Sequence, residues 1–140
     1  MLADLLGAED RAAELADYAE RTIDQIREFA GQIPEKDRPR VYYGRGPEGM
    51  ETGLEGSINL EILEAAGAVN VAAAAGKGGL TKVSLEQILQ WNPKTILISD
   101  TAFAKTVKGD ARWGSIAAIK EARVFVVPSA PFGWFDTPPV

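Results

Sequence analysis

Four short apolar segments alternate with helix-forming segments between residues 40 and 128, and this alternation most limits the folds open to the chain. The apolar segments are 40–44 (RVYYG), 68–73 (AVNVAA), 95–100 (TILISD) and 123–128 (RVFVVP). Each is largely apolar without strict alternation, as expected of strands covered on both faces. Helices are predicted between them at 57–67, 84–91 and 113–122. We therefore predict an α/β three-layer sandwich with a roughly four-stranded, mostly parallel sheet and helices on both faces.

A long amphipathic helix is predicted before the first strand. Its apolar residues recur at steps of three and four: Leu15, Ala19, Ile23, Ile26 and Phe29. Acidic residues stand at its start and Gly31 at its end, both favourable there. At 1.5 Å per residue such a helix is roughly 33 Å long, so it either joins two bodies or covers one side of the sheet. A polar, proline-bearing linker (34–39) separates this region (1–33) from the α/β body (40–140).

The composition removes several functional classes. The chain has no cysteine and no histidine, which excludes thiolate chemistry, disulfides and imidazole ligands or bases. A formal net charge of -5 argues against nucleic acid as a partner. Any enzyme of this sequence would have to use carboxylates, lysine, tyrosine or serine. We expect neither a resident cofactor nor a metal site.

Two glycine-rich segments suggest phosphate loops but fit them poorly. The segment 44–49 (GRGPEG) spells G-x-G-x-x-G after a strand, yet the next helix is delayed to about Ser57, whereas the dinucleotide motif needs a helix at this turn. The segment 72–79 (AAAAGKGG) lacks both the upstream glycine and the Ser/Thr of a P-loop. We interpret the first as a long functional loop and the second as a flexible loop.

Candidate binding residues gather where the predicted strands end. In parallel sheets, ligands bind beyond the carboxyl ends of the strands. The residues predicted there are Tyr43, Arg45, Glu51, Thr52 and, after the last strand, Trp134. Asp100 also follows a strand; it is either a catalytic acid or the N-cap of the next helix, and we favour the cap.

The order of these segments resembles the periplasmic binding proteins that deliver iron-siderophores, haem, cobalamin and molybdate to ABC importers. The segment LLGAEDRAAELADYAERTIDQI is similar to the long helix that joins the two lobes of that family. RPRVYYGRGPEGMETGLEGSINLEILEAAGAVNVA, SLEQILQWNPKTILISD and WGSIAAIKEARVFVVPSAPFGWFDTPP are similar to successive parts of the C-terminal lobe.

The resemblance implies a substrate-binding component of an ABC importer, not an enzyme. It implies a C-terminal lobe, truncated at its end, of a parent protein that is periplasmic or anchored outside the cytoplasmic membrane. The ligand would be a metal chelate or an oxyanion, such as a ferric siderophore or molybdate, gripped by Tyr43, Arg45, Glu51, Thr52 and Trp134. Glu86 matches the exposed glutamate with which the family docks on the permease subunits.

Two other functions remain open at the level of sequence. A small α/β enzyme could use Asp100 or Glu51 on a phosphorylated or anionic substrate. A receiver-type signalling domain is the other, but it needs acidic residues at the end of the first strand, and 40–46 (RVYYGRG) offers none.

Overall fold

Two helices precede an α/β body in the computed structural model, which describes residues 2–130 together with Gly133 and Phe135. The helices are α1 (Leu2–Leu6), α2 (Glu9–Gly31), α3 (Ile58–Ala65), α4 (Leu85–Trp91), α5 (Thr101–Thr106) and α6 (Ala117–Lys120). The strands are β1 (Arg40–Gly44), β2 (Glu51–Gly53), β3 (Val69–Asn70), β4 (Leu80–Lys82), β5 (Thr95–Ile98) and β6 (Val124–Val126). The long helix predicted from the apolar periodicity is confirmed, including its end at Gly31.

The predicted four-stranded parallel sheet is confirmed. Its strand order is β3-β1-β5-β6, and every neighbouring pair is parallel. β1 and β5 are the central strands, but β3 pairs only with Arg40 and Val41, so at its carboxyl end β1 is paired with β5 alone. Gly44, the last residue of β1, is opposite Ile98, the last residue of β5. The chain segments that follow these two strands therefore start side by side at one edge of the sheet.

The two faces of the sheet are covered to different extents. On one, which we call the closed face, Tyr42, Ile96 and Ile98 pack against the apolar residues of α4 to α6 and the turn before α6 in one buried cluster. On the other, the open face, Tyr43 packs in a smaller cluster with Leu60 of α3 and Val127. Phe125, which pairs in register with Leu97 on the open face, remains 54% exposed. Helices on both faces confirm the three-layer arrangement.

Three local predictions are wrong in part. The apolar segment 68–73 forms only a two-residue strand, and residues 71–75 then form a 3₁₀ helix because the Asn70 side chain accepts from the Ala72 N–H. The first part of the predicted flexible loop at 72–79 is therefore helical. The helix predicted at 113–122 is confined to α6, whose first N–H is capped by the Asn92 side chain, 2.9 Å from Ala117 N.

A second sheet was not predicted. β2 and β4 pair antiparallel, so the loop after β1 and the glycine-rich loop before α4 are joined. Strands of three residues such as ETG and LTK give a weak sequence signal, whereas their backbone pairing fixes both loops against each other.

Candidate functional site

The chain turns back on itself directly after β1. Arg45 and Glu51 face each other across this turn and exchange two backbone hydrogen bonds: Arg45 N to Glu51 O at 2.8 Å and Glu51 N to Arg45 O at 3.3 Å. On its far side Glu51 is opposite Lys82 of β4. Arg45, Glu51 and Lys82 thus form one cross-strand row, which we call the charged row.

Two glycines shape the turn from 46 to 50. Gly46 and Gly49 have φ angles of 73° and 69°, in the left-handed region that favours glycine. A Cβ atom on Gly49 would lie 2.2 Å from the ring of Phe103. The Tyr42 hydroxyl also donates to Gly49 O at 2.8 Å. These glycines allow a tight turn that packs, through Gly49, against Phe103 and Tyr42 of the closed face. α3 begins only at Ile58, whereas a dinucleotide-binding motif would place a helix start at this turn.

The side chain of Arg45 is held between an acid and an aromatic ring. Its Nε lies 3.5 Å from Glu51 Oε1, with 25% and 38% of the two side chains exposed. Its guanidinium carbon lies 6.0 Å from the centre of the Tyr43 ring, at the limit of a cation–π contact. Arg45 is therefore oriented from two sides but still reaches solvent.

A pocket of about 240 Å³ opens on the charged row. It is lined by Arg45, Gly46, Pro47, Glu48, Met50, Glu51 and Lys82. Arg45 and Glu51, both predicted from sequence, are brought together here. Lys82 was missed, although the pattern before the N-cap Ser84 could have suggested a short strand that ends on this lysine.

The other predicted site residues lie apart from the pocket opening. Tyr43 is 1% exposed, and its ring stacks on Phe135 at 4.6 Å between centroids. Thr52 is fully buried, and its Oγ1 has no hydrogen-bond partner within residues 2–130, 133 and 135. Trp134 lies outside the described residues. The structure thus brings Arg45 and Glu51 to the surface and leaves Tyr43 and Thr52 beneath it.

A second cavity of about 210 Å³ adjoins the turn, with Pro47, Glu48 and Met50 in both linings. It contains Arg112, whose guanidinium is bound by Asp110 through Nη2–Oδ2 at 2.7 Å and Nε–Oδ1 at 3.0 Å. These hydrogen bonds lower the pKa of Asp110. The positive charge of Arg112 is therefore largely matched locally.

Asp100 caps α5. Its Oδ1 accepts from the N–H groups of Ala102 at 2.7 Å and Phe103 at 3.3 Å. The capping interpretation is confirmed, and the carboxylate is engaged in the structural contact that an N-cap makes.

Glu86 lies in the first turn of α4, on the exposed side of the helix. Its own backbone N–H and the Ser84 hydroxyl lower the pKa of Glu86. Ser84 and Gln87 form a capping box that fixes the start of the helix. An ionised carboxylate is therefore presented on a well-defined helix end.

The fold and the amino-acid sequence assign the chain to a family. The family model described as periplasmic binding protein matches residues 1–131. The chain belongs to this family.

Individual relatives are ABC-transporter components. The molybdate-binding protein MolA of Haemophilus influenzae is 31% identical over 96% of this chain and 38% of its own length. The uncharacterized ABC transporter substrate-binding lipoprotein YvrC of Bacillus subtilis is 30% identical over 91% of this chain and 40% of its own length. An ABC transporter solute-binding protein from Sulfurospirillum deleyianum is 35% identical with a TM-score of 0.85, over 99% of this chain and 43% of that one.

The chain spans about two fifths of the length of these relatives, at 38%, 40% and 43%. In the part of the chain that the structure describes, no helix combines the length and apolarity needed to cross a bilayer. The same residues hold no cluster of three or more His, Cys, Asp or Glu suited to a metal ion.

Proposed function

We propose that the chain forms the C-terminal lobe of a two-lobe substrate-binding protein, which captures a small anionic ligand outside the cytoplasmic membrane and delivers it to an ABC permease. Residues 1–33 would join the lobes, 34–39 would be the linker, and 40–140 would be the lobe itself. In this proposal the chain performs no catalytic step. The ligand is an oxyanion or a metal chelate with exposed oxygens.

One observation carries this proposal: Arg45 stands at the carboxyl end of a central parallel strand, oriented by Glu51 and Tyr43, and lines a solvent-accessible pocket. The guanidinium fork matches the oxygens of carboxylates and tetrahedral oxyanions. MolA, a relative, has a solved structure bound to molybdate, with a TM-score of 0.76 to this chain at 32% identity over 90% of this chain and 38% of that one. Together these favour an oxyanion such as molybdate over a ferric siderophore.

The remaining predicted residues have supporting roles in this proposal. Tyr43 would hold the Arg45 guanidinium, whereas Thr52 is buried outside the pocket lining and stays a predicted ligand contact. Trp134 stays a predicted ligand contact. Glu86, exposed and ionised on the capped end of α4, would dock on basic residues of the permease.

Titration with sodium molybdate at constant ionic strength, followed by backbone amide NMR shifts, tests the ligand site. We expect saturable shifts at residues 45–51, which Arg45→Gln abolishes. Arg123 offers a matched control, since its Nε lies 3.3 Å from Glu121 Oε2 at the opposite end of the sheet. Arg123→Gln should leave the titration unchanged. Equal affinity in wild type and Arg45→Gln would remove Arg45 from the site.

The docking role of Glu86 is tested separately. In the transporter assembled with its permease, Glu86→Gln should impair uptake while leaving the molybdate affinity of the binding protein unchanged. Uptake at the wild-type rate would contradict the docking assignment without touching the ligand site.

A further inference from the structure

Lys82 is a pocket residue to which no role has been assigned. It is the last residue of β4 and lies directly opposite Glu51 in the antiparallel pair. Val83 N donates to Met50 O at 2.9 Å, so Glu51 and Lys82 occupy a non-hydrogen-bonded position of the ladder. At such positions the two Cα atoms are only about 4.5 Å apart and the side chains leave the sheet on the same face.

Glu51 therefore stands between two cations. Residues opposite each other in neighbouring antiparallel strands share a face, so the side chains of Arg45, Glu51 and Lys82 leave the charged row together. All three line the pocket of about 240 Å³. The sign of the charge alternates along the row: positive, negative, positive.

The contact between Arg45 and Glu51 is loose. The distance of 3.5 Å from Nε to Oε1 exceeds the 2.7–2.9 Å of a good charge-assisted hydrogen bond. Both side chains reach solvent, where ion pairs are weak. A ligand with two negative charges could therefore take the place of a single carboxylate at little cost.

We infer that Lys82 is a second ligand-binding cation and that Glu51 is an internal counter-ion, which a small dianion displaces from Arg45. The inference rests on the proposed function and narrows its ligand class. Two flanking cations suit a tetrahedral dianion whose oxygens can be shared between a guanidinium fork and an ammonium group. Glu51 makes no contact with the ligand and instead balances the charge of Arg45 while the site is empty.

The other charged residue that lines the pocket, Glu48, is not a second counter-ion of the charged row. Its charge acts on Arg112, which Asp110 already binds. A displaced Glu51 would leave two positive charges on the row facing one anion. If Glu51 instead bound a ferric ion or a cationic chelate directly, Glu51→Gln would weaken the binding of that ligand.

The test is the molybdate titration of the whole chain, by amide NMR shifts, in wild type, Lys82→Gln and Glu51→Gln. We expect Lys82→Gln to weaken the affinity about fivefold to tenfold, the loss of one charge-assisted contact. Glu51→Gln should strengthen it about threefold, because a competing carboxylate of surface ion-pair strength is gone. The unperturbed amide peaks of each variant report whether it is folded.

A matched pair provides the control. Lys77 and Glu55 face each other in a neighbouring bridge, with Nζ and Oε1 also 3.5 Å apart, outside the pocket. Lys77→Gln and Glu55→Gln should leave the affinity within about twofold of wild type. They change the net charge of the chain by the same amounts as Lys82→Gln and Glu51→Gln, but at an exposed pair outside the pocket.

The outcomes separate the inference from the proposed function. Wild-type affinity in Lys82→Gln, or weaker binding in Glu51→Gln, would overturn the inference. The proposed function would still stand if Arg45→Gln abolished molybdate binding. Shifts at 45–51 with a ferric catecholate but not with molybdate would also overturn the inference, since the site would then take a chelate. Absence of shifts at the pocket with either probe contradicts both.

Discussion

The closed and open faces of the sheet differ in how completely they are packed, and the site lies where they meet. On the closed face, large residues such as Trp113 and Phe103 are almost fully buried, with ring centroids 4.9 Å apart. On the open face the buried cluster is small, and Phe125 is 54% exposed. Arg45 follows Tyr43 at the two-residue period of β1 and so belongs to the open face, while the turn behind it is anchored to the closed face through Gly49. A rigid support on one side thus holds a charged row that is accessible on the other.

The largest expected effect tests the packing difference directly. Trp113→Ala should lower the free energy of unfolding by about 3–5 kcal/mol, the usual cost of deleting a fully buried aromatic ring. Phe125→Ala, on the open face, should cost about 1 kcal/mol or less, because its ring is already half in water. Urea unfolding followed by circular dichroism measures both, and equal losses would abolish the distinction between the faces.

Gly49 tests whether the closed face anchors the site. Gly49→Ala should cost about 2–4 kcal/mol, since alanine is strained at positive φ and its Cβ would collide with the Phe103 ring. Gly46→Ala is the matched control: its φ is similar, but nothing lies within 4 Å of its Cβ position. It should cost about 1–2 kcal/mol, the backbone strain alone. A difference near zero between the two variants in urea unfolding would show that Phe103 does not restrain the turn.

Tyr42 links the closed-face core to the turn by one hydrogen bond. Tyr42→Phe should lower the free energy of unfolding by about 1 kcal/mol at pH 7, the net worth of such a bond. Burial raises the pKa of Tyr42 well above its ordinary value. A raised pKa stabilises the folded state below the unfolded-state pKa of about 10, and this stability is lost as the pH rises further. The difference in stability between wild type and Tyr42→Phe should therefore shrink above about pH 10, and a difference that grows there would contradict the assignment.

The smallest stability effect is expected at the charged row itself. Arg45→Gln should change the free energy of unfolding by about 1 kcal/mol or less, because it removes a loose and partly exposed ion pair. A loss in urea unfolding as large as that of Gly49→Ala would mean that Arg45 supports the fold, and its effect on ligand binding would then need another explanation.

The contrast between the faces also explains how much could be predicted. The four parallel strands and the long helix could be predicted because apolar runs and helical periodicity are patterns of residues close together in sequence. The cap at Asp100 is likewise a local feature of the sequence, and it is confirmed. At the site, Arg45 and Glu51 could be predicted as residues that follow β1.

The missed features depend on pairing between distant segments. Lys82 reaches the site only because β4 pairs with β2, and three-residue strands carry little signal of their own. The shortening of the helix predicted at 113–122 depends on Asn92, which caps Ala117 from a different element. The burial of Tyr43 and Thr52 is likewise a result of packing across segments, which a single strand pattern does not contain.

A crystal structure of the chain grown with sodium molybdate would show whether an anion binds on the charged row at the carboxyl end of β1. The anomalous scattering of molybdenum distinguishes the ion from water and from lighter anions. We expect a peak within hydrogen-bonding reach of the Arg45 guanidinium and the Lys82 ammonium, with Glu51 turned away. An empty pocket, with a well-ordered molybdenum peak elsewhere on the molecule, would contradict this expectation.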